Sequence, residues 1–206
     1  MTAEQRSRSL DLLDWAFASR RYEGEIESGD LHVVRPSREG ALVAMADGLG
    51  HGAEAAEAAR LAMDIVERTA EEPLAFIMRA CHQAIVATRG VVMSLVRFDP
   101  TGSMTSISVG NVEGVVLRAD PEQPREWLVS QSGALGHTLP TLRERSMPVA
   151  PGDVLALATD GIRPTFPDHI RHGERPQDSV DRVLAACTKG TDDALVLVAR
   201  FQGDQP

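Results

Sequence analysis

The sequence predicts an α+β fold in which two antiparallel sheets pack against each other and helices cover their outer faces. Three observations carry that prediction. The strands come in runs joined by short turns, which favours antiparallel pairing over crossover connections. Two helices stand between two groups of strands, and their apolar stripes need sheet faces to cover. The chain has 206 residues, enough to bury a core without disulfides or a structural metal. Residues 1–206 therefore read as a single domain.

The elements follow in order. Leu13, Trp15 and Phe17 alternate with Asp14, Ala16 and Ala18, the period of a strand with one apolar face. A helix over Leu10–Ala18 is the alternative, but the large residues fit alternation better. A charged loop through Glu23, Glu25 and Glu27 leads to a second strand, Leu31–Arg35. Pro36–Gly40 turns the chain into a buried third strand, Ala41–Ala46. The Ala- and Glu-rich stretch Ala53–Ala70 is a helix with Leu61, Ile65 and Val66 on one face. Pro73 suits the start of the next helix, where its missing N–H costs nothing. That helix carries the stripe Leu74, Ile77, Met78, Cys81 and Ile85.

The period then returns to two. Val91–Phe98 and Met104–Val109 form a hairpin about Asp99-Pro100-Thr101-Gly102. Val112–Arg118 and Glu126–Val129 are two shorter strands, with Ala119–Pro124 between them. Ser130–Thr141 has two glycines and no Asp, Glu, Lys or Arg, which marks an ordered loop. Pro151-Gly152-Asp153 leads into a buried strand, Val154–Thr159. Arg163–Gln177 holds three prolines and two histidines and is the most flexible stretch expected. Asp178 is the expected cap of a helix carrying Val180, Val183, Leu184 and Cys187. Ala194–Phe201 is the closing strand.

Charge narrows the function classes. Lys and Arg number 21 against 30 Asp and Glu, a net charge of −9. That balance repels polyphosphate, so no nucleic-acid partner is expected. If the protein handles phosphate, the positive charge is expected to come from a metal. Cys81 and Cys187 both lie in apolar helical patterns and offer no metal-ligand spacing, which fits a reducing compartment. Asp11 and Asp14 interrupt any signal-peptide core, and no stretch approaches the roughly 18 apolar residues of a membrane helix. The expectation is a cytoplasmic protein with no membrane partner.

Two segments carry the chemistry. Asp47-Gly48 and Asp160-Gly161 each end a buried strand, after Ala44-Met45-Ala46 and Leu157-Ala158-Thr159. A single Asp-Gly is most simply a turn. Here neither is followed at once by a pairing strand. A carboxylate held at a strand end suits a hard cation, and Gly lets a backbone carbonyl approach the same ion. Asp192-Asp193 precedes the last strand and Asp30 precedes the second. Each reads equally as surface pair, cap or ligand.

In this order, the segments resemble the PPM-type serine/threonine phosphatases, relatives of protein phosphatase 2C, in their SpoIIE branch. They are Ser28-Gly29-Asp30, Asp47-Gly48-Leu49-Gly50-His51-Gly52, Ser108-Val109-Gly110-Asn111 and Gly133-Ala134-Leu135-Gly136, followed by Pro151-Gly152-Asp153, Thr159-Asp160-Gly161 and Thr191-Asp192-Asp193-Ala194. Within the branch the chain is similar to the small stand-alone phosphatases of stressosome signalling. The resemblance implies an αββα sandwich of two antiparallel sheets flanked by helices. It implies two Mn²⁺ or Mg²⁺ ions, and phosphoserine or phosphothreonine on a STAS-domain protein as substrate. By the same resemblance Asp47 bridges both ions, the Gly48 carbonyl binds one, and Asp30, Asp160, Asp192 and Asp193 supply further ligands. Paired divalent cations lower the pKa of a bound water and clamp the phosphoryl oxygens during in-line attack.

Two positions depart from the wider family. Leu49 stands where relatives outside the branch place a proton-donating His, and His51 lies two residues further on. His51 reads either as a general acid or phosphate ligand, or as part of a helix-entry turn. Leu195 stands where Thr is common, which removes a possible hydrogen bond behind the ligands. Arg20 and Arg21 are candidates for phosphoryl contact. His137, His169, His172 and Arg171 read more simply as loop residues, and Trp15, Met93 and Met104 as core. Two rival readings stay open: a catalytically weak phosphoprotein-binding regulator, and a hydrolase of small phosphate esters. The sequence leaves the oligomeric state open, leaning to a monomer.

Overall fold

The computed structural model describes residues 12–203; the Leu10 end of the helical alternative and Asp11 lie outside them. In chain order the elements are β1 (Leu13–Arg20), β2 (Asp30–Ser37), β3 (Gly40–Gly48), α1 (Ala53–Arg68), α2 (Leu74–Ala84), β4 (Val91–Asp99), β5 (Ser103–Val109), β6 (Glu113–Leu117), β7 (Glu126–Trp127), β8 (Ser130–Gln131), β9 (Arg145–Pro148), β10 (Val154–Ala158), a 3₁₀ turn (Phe166–His169), α3 (Pro176–Cys187) and β11 (Ala194–Phe201). One sheet has the order β1-β11-β10-β6-β7. The other runs β2-β3-β4-β5-β8, with β9 also paired to β5.

Three apolar layers follow from strand alternation. On β3, Ala41, Val43 and Met45 face the opposite sheet and meet Leu155, Leu157, Leu195 and Leu197. Leu42, Ala44 and Ala46 face the other way, onto α1 and α2. The far sheet is covered by α3, with Val180, Val183 and Cys187 against Val196, Val198 and Ala156. The layers are therefore helix, sheet, sheet and helix. The pairing is antiparallel except at β8, where Ser130 and Gln131 run parallel to Ser108 and Val109. Among the described residues no helix is long and apolar enough to cross a membrane.

Several local expectations are corrected. Strand β2 continues through Pro36 to Ser37, in place of the expected turn. It is an edge strand, so the missing N–H of Pro36 breaks no ladder. Strand β1 is covered on both faces: Ala16 and Ala18 pack toward α3, while Phe17 is 43% exposed and rests on the His32 ring at 4.0 Å. In α1 the buried face is Ala55, Ala56, Ala58, Ala59, Ala62, Met63 and Val66, and Leu61 points outward. Small side chains let this helix lie close to the strand ends. Helix α3 starts at Pro176 and has no side-chain cap. Asp178 lies inside its first turn, where a carboxylate suits the helix dipole, and pairs with Arg175. Strand β9 carries no legible alternation, because Met147 is its one large apolar residue.

The stretch 163–177 is the largest difference from expectation. Phe166 is fully buried under α3. Glu174 binds both guanidinium nitrogens of Arg182 at 2.6 Å, accepts the Ser179 hydroxyl at 2.6 Å and accepts the Arg171 N–H at 3.1 Å. These bonds, Arg182 foremost, hold the Glu174 carboxyl down at about 2. A carboxyl depressed in the folded state stabilises above its unfolded value, and that contribution fades as pH falls through the folded value. Glu174→Gln is expected to lower Tm at pH 7 by about 2–4 °C. The gap between variant and wild type should close as pH falls from 4.5 toward 2, followed by thermal melts across that range.

Candidate active site

Strand register brings the first two carboxylates together. In the β2–β3 ladder Asp30 lies directly opposite Asp47, in line with Leu31 opposite Ala46. The second sheet delivers the others at the same end of the sandwich. Asp160 follows β10, and Asp192-Asp193 precede β11. Thr159 joins the two sheets: its hydroxyl donates to Asp30 Oδ2 at 2.7 Å and accepts the Leu195 N–H at 2.9 Å. The Leu195 side chain is buried between the sheets.

The glycines after Asp47 and Asp160 are required by close approach, since neither adopts a positive φ. A Cβ on Gly48 would lie 2.2 Å from the Ala55 carbonyl oxygen, and one on Gly161 would lie 1.8 Å from the Asp193 carbonyl oxygen. The first glycine lets α1 come down beside Asp47. The second lets the β10 end pass the start of β11. The two Asp-Gly pairs are therefore packing devices that seat the carboxylates.

Each acid has a distinct setting. Asp193 is buried, and its two oxygens accept the N–H groups of Tyr22 and Gly29, both at 2.7 Å. It thereby ties the β1–β2 loop to β11. Asp160 Oδ2 accepts from the Asn111 amide at 2.9 Å, and Lys189 donates to the Asp160 carbonyl at 2.5 Å. Asp192 Oδ1 accepts the Asp193 N–H at 2.8 Å. Burial raises the Asp47 carboxyl well above the usual range, and repulsion from Asp30, Asp160, Asp192 and Asp193 adds to it. Burial likewise raises Asp30 against the opposing Thr159 bond, with Asp193, Asp160 and Asp192 contributing. Asp192 is also raised, first by burial. No ion pair among the described residues joins a basic side chain to any of the five.

These oxygens suit a hard divalent cation. They are buried or half-buried, mutually repelling and without a basic partner, the condition that a bound cation relieves. Among the described residues no three acid, His or Cys side chains already stand as a closed cage.

His51 follows the Asp47 strand end and precedes α1, whose cap position is Gly52. Its Nδ1 lies 2.6 Å from Glu25 Oε1, and its ring packs on Tyr22 at 4.9 Å. It is also within electrostatic reach of Asp192, whose ionised form it favours. Glu25 and Tyr22 carry no sequence signal beyond a charged loop. Asn111 and Thr159 stand inside family-like segments, but nothing in those segments marks their role. The structure does not bring the remaining candidates onto the carboxylates. Arg21 donates to the Ile26 carbonyl, and Arg20 ends β1 exposed. His137 bonds the Arg89 carbonyl at 2.7 Å. The Arg171 N–H and the His169 carbonyl are tied into the Glu174–Arg182 pair.

Residues 37–202 match the family described as Stage II sporulation protein E (SpoIIE). The chain belongs to the SpoIIE family. It is 25% identical over 181 residues to the phosphoserine phosphatase RsbX of Bacillus subtilis (strain 168), covering 87% of this chain and 90% of that protein. A chain solved in work on the bacterial stressosome as a modular system adapted to secondary messenger signalling is 29% identical. Its TM-score is 0.83, over 91% of this chain and 99% of that one. The crystal structure of RsbX with magnesium superposes with a TM-score of 0.83 at 23% identity, over 92% and 96% of the two chains. As a SpoIIE-family member the chain is an enzyme, a PPM-type serine/threonine phosphatase related to RsbX.

A carboxyl raised in the folded state costs nothing below its unfolded value of 3.8. The penalty grows as pH rises above that value and is complete above the folded one. Metal-free Asp47→Asn is therefore expected to melt higher than metal-free wild type, with the gap widening from about pH 5 to about pH 8. Thermal melts in EDTA check this.

Proposed function

We propose that this SpoIIE-family phosphatase hydrolyses phosphoserine or phosphothreonine on a STAS-domain protein of a stressosome or partner-switching module, in the cytoplasm, with two Mn²⁺ or Mg²⁺ ions. The observation that carries the reading is Asp30 facing Asp47 on one sheet, with Asp160 and Asp192-Asp193 delivered by the other. The relatedness to RsbX, named a phosphoserine phosphatase and solved with magnesium, supports the substrate and the ion class. The stressosome relative supports the setting.

Asp47, the Gly48 carbonyl, Asp30, Asp160, Asp192 and Asp193 would hold the ions. When bound, the ions supply an activated water near neutral pH and charge neutralisation for the phosphoryl group. The chain's own contribution is preorganisation. Thr159 and Asn111 orient Asp30 and Asp160 from behind, as outer-shell bonds do for metal ligands generally. Asp193 holds the loop that carries Tyr22, which packs against His51. His51 stands at the mouth as the general acid for the leaving Ser or Thr oxygen.

The test is phosphate release from a phosphorylated STAS-domain protein, with Mn²⁺ or EDTA, for wild type and Asp47→Asn. Release should need the metal and fall by about a thousandfold or more in the variant, as for loss of a principal electrostatic group. A wild type that binds the phosphoprotein but releases nothing under any metal would establish a binding regulator instead.

A further inference from the structure

We infer that Glu25 is a positioning residue for His51. Its carboxylate holds the Nδ1–H of the ring, so that in the doubly protonated imidazolium the Nε2 proton is the one given to the leaving oxygen of the phosphoester. This role rests on the phosphatase reading above and adds a residue that lies in none of the family-like segments.

Three observations support it. The Glu25 Oε1 to His51 Nδ1 separation is 2.6 Å. A carboxylate only accepts, so Nδ1 donates and the other ring nitrogen, Nε2, is the one left for substrate. Next, Gly52 has φ +80°, and a Cβ there would lie 2.5 Å from Glu25 Oε2. The Glu25 carboxylate thus lies directly against the helix entry that follows His51. Finally, the loop bearing Glu25 is fastened on both sides of it. Asp193 accepts the Tyr22 N–H at 2.7 Å, Arg21 donates to the Ile26 carbonyl, and Arg60 pairs with Glu27 at 2.9 Å. Tyr22 then packs on the imidazole face. The ring is held at one edge and one face, the arrangement by which a carboxylate orients a catalytic imidazole.

In the hydrolytic step a water oxygen bonds to phosphorus and gives a proton to solvent. The bond from phosphorus to the Ser or Thr oxygen breaks, with the electron pair going to that oxygen. The oxygen takes the Nε2 proton of the His51 imidazolium, which leaves the neutral Nδ1–H ring, and the products are the alcohol side chain and inorganic phosphate. His51 regains its proton from solvent, with Glu25 still bonded to Nδ1. A poor leaving group such as a serine alkoxide needs that proton, whereas p-nitrophenolate does not.

The experiment uses the full chain, Glu25→Ala and Glu25→Gln, with two readouts. The first is ¹⁵N NMR of the histidine rings in metal-free protein, with His51 assigned by comparison with His51→Gln. In the neutral ring, the form left once the Nε2 proton is given, wild type should show the Nδ1–H tautomer, Glu25→Ala should shift toward the Nε2–H tautomer, and Glu25→Gln, whose amide oxygen still accepts, should retain Nδ1–H. The second is kcat on a phosphoserine peptide and on p-nitrophenyl phosphate, both with Mn²⁺. Glu25→Ala should lose at least about tenfold more on the peptide than on the aryl ester, with KM for the peptide little changed. Unchanged His51 ring signals, or equal losses on both substrates, would overturn the inference while leaving the phosphatase reading intact. A wild type inactive on both substrates would overturn both.

Discussion

Two carboxylates set opposite one another on adjacent strands are a standing repulsion, and much of this molecule is arranged around it. Like charges directly across a ladder destabilise it, yet Asp30 and Asp47 share a register that eight consecutive residue pairs enforce. A one-residue slip would relieve the repulsion but would turn every core side chain of β3 to the wrong face. Burial of Ala41 to Ala46 on both sides makes that slip far costlier than the repulsion. The core therefore holds together what electrostatics would separate. That is how a like-charged, cation-ready cluster persists in a folded protein.

The second dependence is on small residues. Helix α1 reaches the strand ends because its inner face is mostly alanine and because Gly48 and Gly29 leave space for Ala55. Gly161 does the same for the crossing of β10 and β11. These contacts seat the acids from two sheets at one end of the sandwich, where Thr159 and Asp193 fasten the sheets and the β1–β2 loop together. The residues behind the carboxylates also close the sandwich.

Much of this architecture is legible in the chain. Alternation marks β3, β4, β10 and β11, and the helical stripe of Leu74, Ile77, Met78 and Cys81 marks α2, because buried elements write their period plainly. The two strand-terminal Asp-Gly pairs mark the candidate site. Less legible are elements whose burial comes from a partner instead of their own pattern. Strand β9 has one large apolar side chain, and β2 runs through a proline that only an edge strand tolerates. The stretch 163–177 is ordered by Phe166 and the Glu174–Arg182 pair despite its prolines. Leu61 shows the same limit: its helical spacing suggests core, but the sheet sits so close that mostly alanines fit beneath the helix.

Layer order, family membership and the acids that end strands can all be read from the amino-acid order alone. Periodicity, chain order and short motifs are one-dimensional properties set by backbone geometry and the cost of leaving apolar faces wet. Which of those acids face one another emerges only when the chain is folded. So do the bond of Thr159 to the Leu195 N–H and the reach of Glu25 to His51. Those pairings join residues from 17 to 36 positions apart. Their geometry depends on the register, the helix approach and the loop anchoring acting together, and no local pattern in the chain encodes it.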